Sequence, residues 1–120
     1  MIDRRVEGRR FEDLACEYLK AKGYRIQERN VRLVRKEVDI VAADGDTIVF
    51  IEVKGRRSRR FGSGSEAVGP RKRLHLLMFA AAYLERRGLW KRACRFDVVA
   101  IEIDAAGKPF IEHVENAFGE

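Results

Sequence analysis

The chain has 120 residues, room for one domain with a single central sheet under helices, and one domain spanning 1–120 is expected. Apolar residues make up 46% and charged residues 37%, with the two signs interspersed, which excludes a disordered polyelectrolyte. The net charge is +6, and residues 54–73 hold eight Lys or Arg against the single acid Glu66, so one stretch would meet a polyanion, nucleic acid first of all.

In chain order, residues 8–22 read as an amphipathic helix with Phe11, Leu14, Ala15, Tyr18 and Leu19 as its buried stripe and Gly23 as its stop. Glu12 falls at the margin of that stripe, about 90° from its centre at ~100° per residue, within reach of a sheet beneath. Asp13 and Glu17 point away. Residues 24–33 read as a first strand by their alternation. Residues 37–53 form the clearest β element, a hairpin around Asp44-Gly45-Asp46. Residues 55–69 read as a loop rich in Gly and Ser. Pro70 opens a second helix at its favoured first position, with Leu74, Leu77, Met78, Ala81 and Leu84 as the expected buried stripe and Gly88 as the stop. Residues 96–103 and 110–114 read as two further strands. The expected class is α/β: a mixed β-sheet flanked by α-helices.

Two acids and a lysine lie at one end of the hairpin: Asp39 on its first strand, and Glu52 and Lys54 on its second. With Gly45-Asp46 as a two-residue loop, Asp39 sits opposite Glu52; with Asp44-Gly45 it faces Phe50, one pleat away. Either register puts Asp39, Glu52 and Lys54 on one face, because strand side chains alternate, whereas a three-residue loop would turn one strand over. An Asp39 on the opposite side of the sheet from Glu52 and Lys54 would undo the arrangement.

Phosphodiester hydrolysis needs an activated water, stabilised charge on the phosphate and help for the leaving oxygen. A Mg²⁺ ion (or Mn²⁺) serves all three and takes only one or two protein carboxylates, leaving its other positions to waters and phosphate oxygens. Asp39 and Glu52 match that demand, with the backbone carbonyl of Val53 as a third ligand, and Lys54 would hold the water or balance charge on the phosphate. Two carboxylates about 4 Å apart at an effective dielectric near 20 repel by roughly 4 kcal/mol, so without an ion one of them should keep a proton to an abnormally high pH. The competing reading is an ordinary solvent-facing Glu-x-Lys pair.

The motif Asp39…Glu52-Val53-Lys54 resembles the PD-(D/E)xK nuclease superfamily, which includes type II restriction endonucleases and archaeal Holliday junction resolvases. The chain is more closely similar to the YraN family of small bacterial proteins, predicted to be endonucleases. That resemblance covers nearly the whole chain. It runs through Glu12-Asp13-Leu14-Ala15 with Tyr18-Leu19, Gly23-Tyr24, Asn30-Val31-Arg32, Glu37-Val38-Asp39-Ile40-Val41-Ala42 and Phe50-Ile51-Glu52-Val53-Lys54-Gly55-Arg56. It continues through Phe61-Gly62, Ala67-Val68 with Lys72, Arg95-Phe96-Asp97-Val98-Val99 and Asn116-Ala117-Phe118. It implies a restriction endonuclease-like fold and a metal-dependent endonuclease acting on DNA, branched or structured DNA included. It also implies a place for Glu12 in the metal site, matching the first-helix glutamate of the resolvases. Lys36 departs from the family, standing where a glycine is usual, and Val38 replaces the superfamily's proline. Resolvase-like enzymes are often dimers, so a homodimer is compatible with the resemblance, although no exposed apolar stripe is evident to establish it.

Arg56 and Lys72 lie where the family keeps basic residues, and both are candidates for phosphate contact or for plain solvated surface. Arg57, Arg59 and Arg60 suit counterion-release binding rather than base readout. Phe61 suits packing of the loop better than stacking on a base. Asp97 suits a salt bridge with Arg95 better than a part in the site. His75 and His113 have no partner at metal-ligand spacing and read as structural. Cys16 and Cys94 read as reduced, buried small hydrophobes. No apolar signal segment follows Met1, and no run nears the roughly 18 apolar residues of a membrane span, so a soluble cytoplasmic protein without a membrane partner is expected. The rival function is a non-catalytic nucleic-acid-binding accessory protein that retains the fold. A small structural basic protein ranks last because it leaves the paired acids unexplained.

Overall fold

Two helices and five strands follow one another as α1 (Arg4–Ala21), β1 (Arg25–Leu33), β2 (Lys36–Asp44), β3 (Thr47–Arg56), α2 (Pro70–Arg86), β4 (Cys94–Ile103) and β5 (Pro109–Phe118). The computed structural model describes residues 4–56 and 69–118, with the side chains of residues 4–6 left aside. Both helices end as their glycines dictate. Gly23 at φ +97 and Gly88 at φ +67 adopt the left-handed conformation. The following residues, Tyr24 and Leu89, donate back to the carbonyls of Leu19 and Leu84, which satisfies the last helical turn. Among the described residues no helix is long and apolar enough to cross a membrane.

The strands lie side by side in chain order, β1-β2-β3-β4-β5, antiparallel except for the parallel pair β3–β4. Parallel neighbours need a crossover, and the connection containing α2 supplies it. The fold is therefore a mixed α/β sheet flanked by two helices, an arrangement consistent with a restriction endonuclease-like fold. Asp44 pairs with Thr47, so the β2–β3 loop is Gly45-Asp46, with the glycine at φ +61. Leu33 pairs with Lys36, and the intervening Val34 and Arg35 both take positive φ, 47° and 61°. Neither is a glycine or asparagine, so this turn is held against its local preference by the pairing around it.

Each face of the sheet has its own core. On one, α1 lays Phe11, Ala15, Cys16 and Leu19 over Ile40, Ala42, Val49, Ile51, Val99 and Ile101. On the other, α2 lays Leu76, Phe79, Ala80 and Tyr83 over Val38, Val41, Ile48, Phe50 and Phe96. The rings of Phe50 and Phe79 meet edge-on at 6.0 Å, and those of Phe50 and Phe96 stack at 5.5 Å.

Two expectations from the sequence are corrected here. The buried stripe of α2 is Leu76-Phe79-Ala80-Tyr83, whereas Leu74, Leu77, Met78 and Ala81 face outward and Leu84 is half-buried. Both stripes have helical spacing, and the sheet takes the one whose aromatic rings fill the space over Phe50. Cys94 is exposed at the first position of β4, while Cys16 is buried; both are free thiols.

Candidate active site

The β2–β3 ladder stops at Ile40–Ile51, although β3 continues along β4 as far as Arg56–Glu102. Between Val38 and Ile40 the regular alternation of β2 breaks: Val38 belongs to the α2-side core with Val41, and Ile40 to the α1-side core. Asp39 occupies the break. Its Oδ2 accepts the Val53 N–H at 2.8 Å, closing the splayed strand end with a side chain instead of a backbone pair. Asp39 also lines a groove of about 460 Å³ on the α1 side with Phe11, Glu12, Val53 and Gly55.

Glu52 lies in register with Phe50 on the α2 side and is only 7% exposed. Its Oε1 faces two lysines, Lys72 Nζ at 3.4 Å and Lys54 Nζ at 3.8 Å. Its Oε2 is buried and has no hydrogen-bond partner among the described residues. The three residues do not share one regular pleated face, as the sequence suggested. Asp39 leans toward α1, and Glu52 with Lys54 toward α2. This corrects the expectation of one shared face; what still links the two sides is charge, because the ladder has ended at Ile40–Ile51 and the Asp39 carboxyl feels that of Glu52. Burial, followed by the negative charge of Glu52, pushes the Asp39 carboxyl up to about 7, with Glu12 adding to the rise while the Val53 N–H and Lys72 oppose it.

Glu12 is brought to the same end by α1. Asn30 Nδ2 donates to Glu12 Oε1 at 3.0 Å, and Arg29 lies 3.6 Å from the same oxygen. Asn30 sits at φ +52, between the β1–β2 pairs Arg29–Ile40 and Val31–Val38, which places it across from Asp39. Asparagine tolerates that conformation better than most residues. Its link to Glu12 escaped the sequence reading, which offered only the motif Asn30-Val31-Arg32. Gly55 sets the height of α1 over the sheet: a Cβ there would land inside the Phe11 ring. Gly55→Ala is expected to displace Phe11 together with neighbouring Glu12 and to cost about 1–3 kcal/mol, measured by urea unfolding.

Lys72 and Arg56 sit differently from a solvated basic surface. Lys72 reaches Glu52 from the first turn of α2, and Arg56 is held by Glu102 through contacts of 2.7 and 3.2 Å. Arg57, Arg59, Arg60 and Phe61 lie outside the described residues. Asp97 forms the expected bridge to Arg95 at 3.1 Å but also accepts the Asn116 N–H at 2.9 Å and faces His113 Nε2 at 2.7 Å. Burial raises the Asp97 carboxyl, but hydrogen bonds from His113, Arg95 and Asn116 outweigh it and hold it below the usual range. Lys22 donates to His113 Nδ1 at 3.0 Å, leaving Nε2–H for Asp97. This network ties β4, β5 and the end of α1 together, and the structural reading of His113 stands on those contacts.

No group of three or more His, Cys, Asp or Glu that could hold a metal ion occurs among the described residues. A Mg²⁺ site does not require one, because that ion keeps several waters. Glu52 Oε2, which has no hydrogen-bond partner among the described residues, and the crowded Asp39 carboxyl are hard oxygen donors, the ligand chemistry Mg²⁺ or Mn²⁺ prefers.

Fold and site thus define a small mixed α/β protein with a strand-end carboxylate pair flanked by lysines. The family model described as "Uncharacterised protein family UPF0102" matches residues 11–101, a span that contains every acid and lysine of the site. A UPF0102 protein of Moorella thermoacetica is 49% identical over 118 residues, covering 98% of both chains. One from Geobacter sulfurreducens is 47% identical over 114 residues, covering 95% of this chain and 89% of the relative. One from Pseudomonas aeruginosa is 41% identical over 123 residues, covering 98% of both. The chain belongs to the UPF0102 family.

Proposed function

We propose that the protein is a metal-dependent endonuclease that hydrolyses phosphodiester bonds in DNA, branched or structured DNA included, and that it is a PD-(D/E)xK nuclease of the YraN type. One observation carries this reading: at a strand end that two lysines reach, Glu52 is buried with an oxygen that has no hydrogen-bond partner among the described residues, and its charge helps to raise the Asp39 carboxyl. Such a cluster is costly alone and is relieved by a divalent cation. Asp39 and Glu52, with the Val53 carbonyl, would hold Mg²⁺ or Mn²⁺. The bound ion would lower the pKa of a coordinated water and draw charge from the phosphate. Lys54, at the rim of the site, orients the attacking water. Lys72, on the other side of Glu52, offsets charge on the phosphate oxygens. Glu12, set by Asn30, completes the site from the α1 side. Arg57, Arg59 and Arg60, with Arg56, supply electrostatic attraction to the backbone. A cytoplasmic location, where the chromosome lies, belongs to the same reading.

Cleavage of linear, single-stranded and branched DNA with Mg²⁺ or Mn²⁺ tests it. Lys54→Ala should lose roughly 10²-fold or more in rate. A variant as active as wild type would remove Lys54 from the mechanism. One observation favours a second reading, a non-catalytic nucleic-acid-binding protein: Lys54 and Lys72 already neutralise one oxygen of Glu52 without any ion. Salt-dependent DNA binding without cleavage of any of these substrates would select it.

A further inference from the structure

Helix α2 carries two apolar stripes, and the sheet uses one of them. Leu76, Phe79, Ala80 and Tyr83 are buried. Leu74, Leu77, Met78 and Ala81 repeat the same i, i+3, i+4, i+7 spacing on the outer side, with Leu74 56% exposed, Leu77 45% and Met78 47%. At ~100° per residue the two stripes are centred roughly 160° apart. Single exposed leucines are ordinary, whereas a contiguous strip marks a contact surface. The strip runs into a groove of about 540 Å³ between α2 and the β4–β5 half of the sheet, walled by Leu77, Ala81, Leu84, Phe96 and Phe118.

We propose that this face binds the same face of a second copy of the chain, with the two α2 helices antiparallel about a twofold axis. The ends of the strip select that partner and that direction. Arg71 stands three residues before Leu74, Glu85 stands four residues after Ala81, and both lie toward the outer side of the helix. Among the described residues neither makes an ion pair within its own chain. An antiparallel pairing centred near Leu77 and Met78 sets Leu74 against the partner's Ala81 and Leu77 against the partner's Met78. It also sets Arg71 against the partner's Glu85, and the twofold makes every contact twice. Antiparallel helices oppose their dipoles as well, and Ala81 permits close approach. A 17-residue helix is about 25 Å long. A strip ~15 Å wide along it gives roughly 400 Å², about half of the ~800 Å² per partner of a standard interface, which suits a weak, concentration-dependent dimer. This inference is independent of the nuclease reading.

Sedimentation of the full chain between about 1 and 100 µM tests it. Wild type is expected to dimerise with a Kd of the order of micromolar. Leu77→Glu or Met78→Glu should raise Kd at least about 100-fold, with circular dichroism unchanged because both positions are exposed. Arg71→Glu and Glu85→Arg should each raise Kd roughly tenfold, since each sets like charges together twice. The double variant R71E/E85R should return to within a few-fold of wild type. A wild-type chain that stays monomeric at 100 µM overturns the proposal and leaves the face to the chain's own 57–68 segment or to a different protein. So does a dimer indifferent to Leu77→Glu, or a double variant no tighter than the single ones.

Discussion

Glu52→Gln is expected to lower metal-dependent cleavage by roughly 10³-fold while leaving the fold and DNA binding close to wild type. Glutamine keeps the volume of the side chain but removes the anionic ligand. It also removes the charge that both Lys54 and Lys72 face, at 3.8 and 3.4 Å. Those lysines are partly exposed and regain water, so the folding cost stays small. The orphaned Oε2 becomes part of a neutral amide, which relieves rather than worsens the metal-free protein. Lys72→Met should cost less, roughly tenfold to 10²-fold, because Lys54 remains beside the phosphate. Single-turnover cleavage under saturating protein separates these losses from weaker binding. A Glu52→Gln enzyme keeping a tenth of wild-type activity would contradict the assignment of Glu52 as a ligand.

The second large effect is on stability against pH. Asp39 titrates near its ordinary 3.8 when unfolded and at about 7 when folded. Below about pH 4 both states are protonated and the site costs nothing. Between those values the folded chain holds a proton that the unfolded chain has released. By linkage, Asp39 therefore makes the metal-free protein less stable as pH rises from about 4 to about 7, and the full cost persists above. The shift corresponds to an upper limit of roughly 4 kcal/mol. Asp39→Asn, which can still accept the Val53 N–H, should abolish this slope and stabilise the metal-free protein at pH 8 by roughly 1–3 kcal/mol. Wild type minus variant isolates it from carboxylates such as Asp97, whose lowered pKa acts in the opposite sense. Mn²⁺ at about 100 times its Kd should then stabilise wild type at pH 8 by roughly 2.7 kcal/mol and Asp39→Asn hardly at all. Parallel pH curves for the two proteins, with and without Mn²⁺, would remove Asp39 from the site.

The order of helices and strands was legible because its signals are local. Gly23 and Gly88 mark helix ends, Pro70 a helix start, and Asp44-Gly45-Asp46 the hairpin that brings Asp39 toward Glu52. The break in β2 was not legible. Val38 to Ala42 is apolar around Asp39, so no alternation reveals that Val38 and Ile40 serve opposite cores. The buried side of α2 was misjudged because Leu74-Leu77-Met78-Ala81 and Leu76-Phe79-Ala80-Tyr83 share one spacing. Only the rings of Phe50 and Phe96, supplied by distant strands, decide between them. Glu12 was placed at the site by its helical margin and by resemblance. Its partner Asn30 is 18 residues away and acts through a left-handed backbone that no pattern of residue types announces. Asp97 and His113, joined across β4 and β5, are likewise 16 residues apart in the sequence.

The most direct test of the central claim is to soak crystals in Mn²⁺ above pH 7 and measure anomalous scattering at the strand end. One peak is expected, ligated by Asp39, by Glu52 through the oxygen that has no partner among the described residues, and by the Val53 carbonyl, and lost in Asp39→Asn. A fully soaked crystal with no peak between residues 39 and 52, and Lys54 and Lys72 closed over Glu52 instead, would contradict it.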